Sequence, residues 1–186
     1  MKKRFRTEGH MKKIAASFLK DIEATLKEID DNSLAPFCEA LDSADRIFVA
    51  GGGRCRPIAE YFAMRLAQLG LTVYTVSSPT TPAITKNDIL VLLSPAADNK
   101  RLSAIAKKCY QTGAAISVIS SAASSPVADL AKHVVVIPKN PMPRVKGSPV
   151  LFEQTAFILT DAITHIISLR RGTTSQSSLN FINNLE

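Results

Sequence analysis

Apolar side chains recur at Ile14, Phe18, Ile22, Leu26 and Ile29 with charged residues between them. Steps of three and four residues predict an amphipathic helix over 14–29. A second, shorter helix is predicted from Ser33 to about Asp42. From Arg46 the pattern changes to short, nearly continuous apolar runs: 46–50, 72–76, 89–93, 115–119 and 133–137. Runs of this length, rich in Val and Ile and without alternation, predict strands buried on both faces. Between them helical spacing returns over 58–69, closed by Gly70, and over 99–111, ended by Gly113. A short helix is expected near 126–131. A Pro- and Lys-rich loop follows over 138–147. Ser148 and Pro149 form a cap-and-first-turn pair for a long last helix running to about Arg170.

Five short strands alternating with helices predict an α/β three-layer sandwich around a parallel sheet. Right-handed crossovers leave few topologies, and 2-1-3-4-5, the flavodoxin-like order, is the expected one. In such a sheet the ligand crevice lies outside the carboxyl ends of the strands where the winding reverses, between strands 1 and 3. Residues 14–171 are read as one domain, preceded by a basic and flexible leader (1–13) and followed by a polar tail (172–186).

Composition narrows the function classes. The 186 residues are 46% hydrophobic, enough for a substantial core, and no apolar run approaches the roughly 18 residues of a membrane span. Of the net charge of +7, residues 1–13 carry +5, leaving the body of the chain almost neutral. With 6% aromatic residues there is neither a basic stripe nor a stacking platform, so nucleic acid is not the expected partner. Cys38, Cys55 and Cys109 are odd in number and widely spaced, which points to a reducing, cytoplasmic location rather than a disulfide framework. His10, His133 and His165 show no metal-ligand spacing, and no metal site is expected.

Two loops meet at the predicted crevice: Gly51-Gly52-Gly53-Arg54-Cys55-Arg56 and Ser94-Pro95-Ala96-Ala97-Asp98-Asn99. Glycines let a backbone approach a ligand closely, and the helix start that follows favours an anion. Arg54 and Arg56 add positive charge suited to phosphate. Cys55 at a helix start is a candidate for a lowered thiol pKa. The same glycines would also serve simply as a tight strand-to-helix turn. A dinucleotide is disfavoured: Arg56 stands where the third glycine of GxGxxG would be, and Val76-Ser77-Ser78 offers no acid for a ribose.

Phe48-Val49-Ala50-Gly51-Gly52-Gly53-Arg54, Phe62-Ala63-Met64-Arg65-Leu66, Thr80-Thr81-Pro82-Ala83-Ile84 and Leu151-Phe152-Glu153-Gln154 together resemble the sugar isomerase (SIS) domain family, most closely its 6-phospho-3-hexuloisomerases. The resemblance covers about residues 15–170. It implies a homotetramer that interconverts 3-hexulose 6-phosphate and fructose 6-phosphate without a cofactor. By the same resemblance Glu153 is the base, and Gly52, Gly53, Arg54, Cys55, Arg56, Ser94, Ala96 and Asn99 hold the substrate and its phosphate. The chain departs from the family where Gly-Arg-Ser-Gly becomes Gly53-Arg54-Cys55-Arg56 and Ser-Gly-Ser-Gly-Glu-Thr becomes Ser94-Pro95-Ala96-Ala97-Asp98-Asn99. Gln68 replaces a histidine common in the family. These changes keep a second reading open, a non-catalytic or regulatory SIS domain that binds a phosphosugar. Ile14, Phe18, Leu159, Ile163 and Ile167 are the residues that a monomer is expected to expose, and Met64 is expected in the core.

Overall fold

The computed structural model describes residues 10–76, 78–139, 144 and 150–173. Its elements run α1 (His10–Leu26), α2 (Asp31–Ser43), β1 (Ile47–Gly51), α3 (Cys55–Ala67), β2 (Val73–Thr75), β3 (Ile89–Leu93), α4 (Lys100–Thr112), β4 (Ala115–Ser120), a 3₁₀ turn (Ala128–Leu130), β5 (His133–Val136) and α5 (Leu151–Arg171). The five strands form one parallel sheet in the order β2-β1-β3-β4-β5, as the alternation of apolar runs and helices implied.

Boundaries differ from the sequence reading for local reasons. Helix α1 starts at His10, so residues 10–13 of the expected leader are helical, and it ends at Leu26 with Ile29 packed in the following turn. Helix α2 is capped by Asp30, whose carboxylate accepts from the Asn32 amide, so Ser33 lies inside the helix. Helix α3 begins at Cys55, three residues early, because the glycine turn already curls the chain into helical bonding. Its cap is Gln68 rather than Gly70, and Gly70 (φ +79°) turns the chain two residues later. Helix α4 ends as predicted at Gly113 (φ +78°). The expected cap pair Ser148 and Pro149, and most of the 138–147 loop, lie outside the described residues.

The sheet separates two apolar layers. Ile47, Val49, Ile89, Val91 and Leu93 pack with α2, α3 and α5 through Phe37, Leu41, Phe62, Leu66, Leu159, Ile163 and Ile167. Phe48, Leu90, Leu92, Ile116 and Val118 face α4 through Leu102, Ala106 and Cys109. Fully burying each such side chain contributes about 1.5–3 kcal/mol. The stripe Leu159, Ile163 and Ile167 is therefore core, contrary to the expectation that a monomer would expose it. What α5 leaves in solvent is Phe157, Ile158, Ile166 and Leu169. Met64 is also 47% exposed rather than core, because it lies on the outer face of α3, opposite the buried Phe62 and Leu66.

The sheet's amino end is tied by a buried carboxylate. Asp88 accepts from Arg46 Nε (2.9 Å) and Nη2 (2.7 Å), and from the Thr85 amide (2.6 Å) and hydroxyl (2.9 Å). Burial alone would raise its pKa, but the donors from Arg46 and Thr85 outweigh that and hold it below the usual aspartate value.

Candidate functional site

At the carboxyl end of β1 the chain must turn at once into α3, and three glycines make this possible. A side chain on Gly51 would collide with the Cys55 carbonyl, and Gly53 has φ +53°. Gly52, just past the end of β1, still bonds to the neighbouring strand, donating to the Leu93 carbonyl (3.2 Å). A Cβ on Gly52 would lie 3.8 Å from Ser94 Oγ and 3.4 Å from Leu102 Cδ1. The two loops therefore do meet, as the topology required, with Gly52 and Ser94 side by side.

The same loop reaches the last helix on its other flank. Arg54 Nε donates to Glu153 Oε1 at 2.9 Å. Glu153 lies in the first turn of α5 and is 8% exposed. Its second oxygen, Oε2, is buried without a hydrogen-bond partner among the described residues, as is Oε1 of neighbouring Gln154. A buried carboxylate oxygen ordinarily has donors, and leaving one without them is costly. Glu153 and Gln154 line an almost wholly apolar recess of about 390 Å³, with Ile22 from α1, Ile58 from α3, and Phe157 and Ile158 from α5.

The remaining predicted residues are placed differently. Arg56 turns along α3 to Glu60 (Nε to Oε1, 2.8 Å), away from the crevice. The pairing is the ordinary i,i+4 contact of a helix surface. Cys55 is buried, and its thiol is pushed up to about 12, first by burial and then by the negative charge of Glu153. This reverses the lowered pKa expected from the helix start: desolvation outweighs the helix dipole. The amides of Cys55 and Arg56 are not open to an anion either, since they bond the Gly52 and Gly53 carbonyls at 3.0 and 3.1 Å.

In the second loop the Ser94 hydroxyl accepts from the Ala97 amide (3.2 Å) and keeps its own proton to donate. Ala97 is buried with φ +49°, a left-handed position filled here by alanine. Asn99 caps α4, its Oδ1 accepting from the amides of Arg101 (2.9 Å) and Leu102 (3.3 Å), and its Nδ2 is the donor left over. Ala96 offers no side-chain donor. Gln68 sits away from both loops, bonded to Arg65 Nη1 (2.8 Å), and Arg65 in turn pairs with Asp161 of α5. Tyr61 adds a hydroxyl to Asp161 (3.1 Å) and stacks on Phe157 with ring centroids 4.4 Å apart.

The structure thus brings Gly52, Gly53, Arg54, Ser94 and Glu153 to one end of the sheet and turns Arg56 away. Sequence reasoning missed the pairing of Arg54 with Glu153, which are 99 positions apart and share no local pattern. It also missed Gln154 and the walls Ile22 and Ile58. The contact of Arg56 with Glu60 was open to discovery, because opposite charges four apart on a helix are a recognisable signal. Among the described residues no three His, Cys, Asp or Glu side chains are grouped to hold a metal, and no helix is long and apolar enough to cross a membrane.

Comparison with known proteins places this geometry. The family model for the SIS domain matches residues 40–163, which span both loops and Glu153. The 3-hexulose-6-phosphate isomerase of Methylomonas aminofaciens is 32% identical over 171 residues, 89% of this chain and 92% of that one. The protein of that name from Mycobacterium gastri is 32% identical over 151 residues, 77% of this chain and 75% of its own. Among solved structures, a hypothetical protein of Methanococcus jannaschii superposes with a TM-score of 0.80 at 25% identity, covering 95% of this chain and 99% of the other. The crystal structure of that protein was reported to infer the function of a 3-hexulose-6-phosphate isomerase.

Proposed function

The chain belongs to the SIS domain family, and from that premise we propose that it is a sugar-phosphate isomerase converting 3-hexulose 6-phosphate to fructose 6-phosphate, with Glu153 as its base. The observation that carries the reading is the divided carboxylate. One oxygen is fixed by Arg54, while the other is buried and without a donor beside an apolar recess. An oxygen in that state is suited to take a proton from carbon.

In this reading Oε2 removes the proton from carbon 2 of the bound 3-ketose. The C–H electron pair becomes the C2–C3 double bond of an enediolate, and the former carbonyl oxygen takes the negative charge. Glu153 then returns the proton to carbon 3 as the hydroxyl proton on oxygen 2 passes to oxygen 3, leaving the ketone at carbon 2. Arg54 orients the base, and its positive charge favours the anionic intermediate. Ser94 and the Nδ2 of Asn99 donate to the phosphate. Arg56 has no part in this scheme.

Incubating the purified protein with 3-hexulose 6-phosphate and measuring fructose 6-phosphate tests the proposal, with Glu153→Gln as the inactive control. Absence of turnover, or full turnover in Glu153→Gln, would defeat it. A second reading, a regulatory SIS domain that binds a phosphosugar without converting it, is favoured by the loss of donors at Ala96 and Cys55. Saturable thermal stabilisation by phosphosugars with no turnover would select it.

We also propose self-association, up to a tetramer, through the outer faces of α1, α3 and α5. Met64, Phe157, Ile158, Ile166 and Leu169 lie exposed there around the Arg65–Asp161 pair. Joining copies is the common outcome for such faces. Light scattering that shows a stable monomer would exclude it.

A further inference from the structure

The sheet is covered unequally. The connection from β2 to β3 crosses the α4 face as an irregular segment, described at residues 76 and 78–88, with prolines at 79 and 82 instead of a helix. An extended chain is thinner than a helix of about 10 Å diameter, so it does not fill the layer beside α4. The space left is a cavity of about 360 Å³ between that segment and α4, over the amino-terminal part of β1 and β3. Phe48 and Leu90 form its floor, Pro82 and Ile84 one wall, and Ile105 and Lys108 of α4 the other. It lies away from the carboxyl ends of β1 and β3, and none of Arg54, Ser94, Asn99 and Glu153 lines it.

Its chemistry is as uneven as its shape. The lining is almost wholly carbon, and Lys108 is the only charged residue among those that line it. Lys108 makes no ion pair among the described residues. Small-molecule sites are typically apolar hollows of roughly 300–1,000 Å³ with a few polar groups that fix orientation. An apolar hollow carrying one cation and no acid matches a ligand with an apolar body and a single negative charge.

We propose that this cavity is a second binding site, distinct from the isomerase site, for a small amphipathic carboxylate of medium chain length. The apolar body lies on Phe48, Leu90 and Ile105, and the carboxylate meets Lys108. A phosphosugar is a poor occupant, since its hydroxyls would find almost no partners among these walls.

The test uses sodium decanoate as the probe and 1-decanol as its uncharged counterpart, with binding followed by calorimetry and by thermal unfolding of the full chain. Decanoate is expected to bind saturably with one site per chain. Lys108→Gln is expected to weaken it by about threefold, the size of an exposed charge contact, and to leave decanol unchanged. Ile105→Trp fills the cavity and is expected to abolish both. Ala104→Phe at the cavity's edge gives the same result if the tryptophan variant does not fold, with far-UV circular dichroism reporting the fold. No saturable binding to the wild type, or binding that survives both filling variants, overturns the proposal. So does a concentration-dependent oligomer that Ile105→Trp dissociates while decanoate fails to bind, for then a second copy fills the space. Because the probes carry no sugar, the outcome does not depend on whether the isomerase reading holds.

Discussion

Each end of the sheet holds a buried carboxylate paired with an arginine, and the two pairs are built to opposite rules. At the amino end Asp88 has donors on both oxygens, four in all, from Arg46 and Thr85. At the carboxyl end Glu153 has a single donor on Oε1 and none among the described residues on Oε2. Both side chains are almost fully buried, so burial does not separate them. Hydrogen-bond completeness does. A complete set of bonds fixes geometry and lowers the energy of the fold, whereas an incomplete one leaves a reactive atom whose cost the surrounding packing must offset. This contrast supports reading Asp88 as a structural anchor and is the ground for the proposal that Glu153 is a chemical group, though both are acids facing an arginine.

Substitutions at four positions and one titration sharpen the contrast. The largest effect is expected at Glu153. Glu153→Gln keeps the shape and removes the base, so kcat/KM should fall by roughly 10²–10⁴, with a melting temperature close to the wild type's. Asp88→Ala should do the reverse. Urea unfolding should show a loss of about 3 kcal/mol, the scale of a broken buried pair, while activity per folded molecule is kept. Arg54→Gln is intermediate. Loss of one charge-assisted bond to the base, about 1.5–3 kcal/mol, should lower kcat/KM by about ten- to a hundredfold, and Arg54→Lys should recover part of it.

Acid should act through Asp88. Its folded-state pKa lies below the ordinary 3.8, so on acidification the unfolded chain takes up the proton first. The stabilisation it provides is complete above that ordinary value and disappears as the pH falls through the lower, folded-state one. Unfolding free energies measured from pH 6 down to 3 should therefore fall more steeply for the wild type than for Asp88→Asn. The smallest effect is expected from Arg56→Ala. Its exposed contact with Glu60 should leave both turnover and stability within experimental scatter; a large loss of phosphosugar affinity would return Arg56 to the site.

How much of this was legible in the sequence depended on the range of the interaction. The strands were visible because a parallel sheet buried on both faces writes itself as uninterrupted apolar runs such as Ile89–Leu93, whose predicted and observed limits coincide. The winding reversal of such a sheet in turn locates the crevice between the 51–56 and 94–99 loops. Helix starts were less accurate. Cys55 opens α3 because Gly52 and Gly53 accept its first turn's bonds, a feature of turn geometry that apolar spacing does not record. The α5 stripe of Leu159, Ile163 and Ile167 was visible as a stripe, but which neighbour would bury it was not; α3 and the sheet do so within one chain. The site was legible as residue types and loops, but not as partnerships. The bond from Arg54 to Glu153 joins distant parts of the chain, and the high pKa of Cys55 follows from burial that only the assembled layers create.

Solvent-isotope exchange tests the central claim most directly. Fructose 6-phosphate incubated with the enzyme in D₂O, and followed by NMR, should acquire deuterium at carbon 3 with the wild type and none with Glu153→Gln, although that variant still binds the sugar phosphate. Exchange at an undiminished rate in Glu153→Gln would show that the proton passes through another group and would contradict the account.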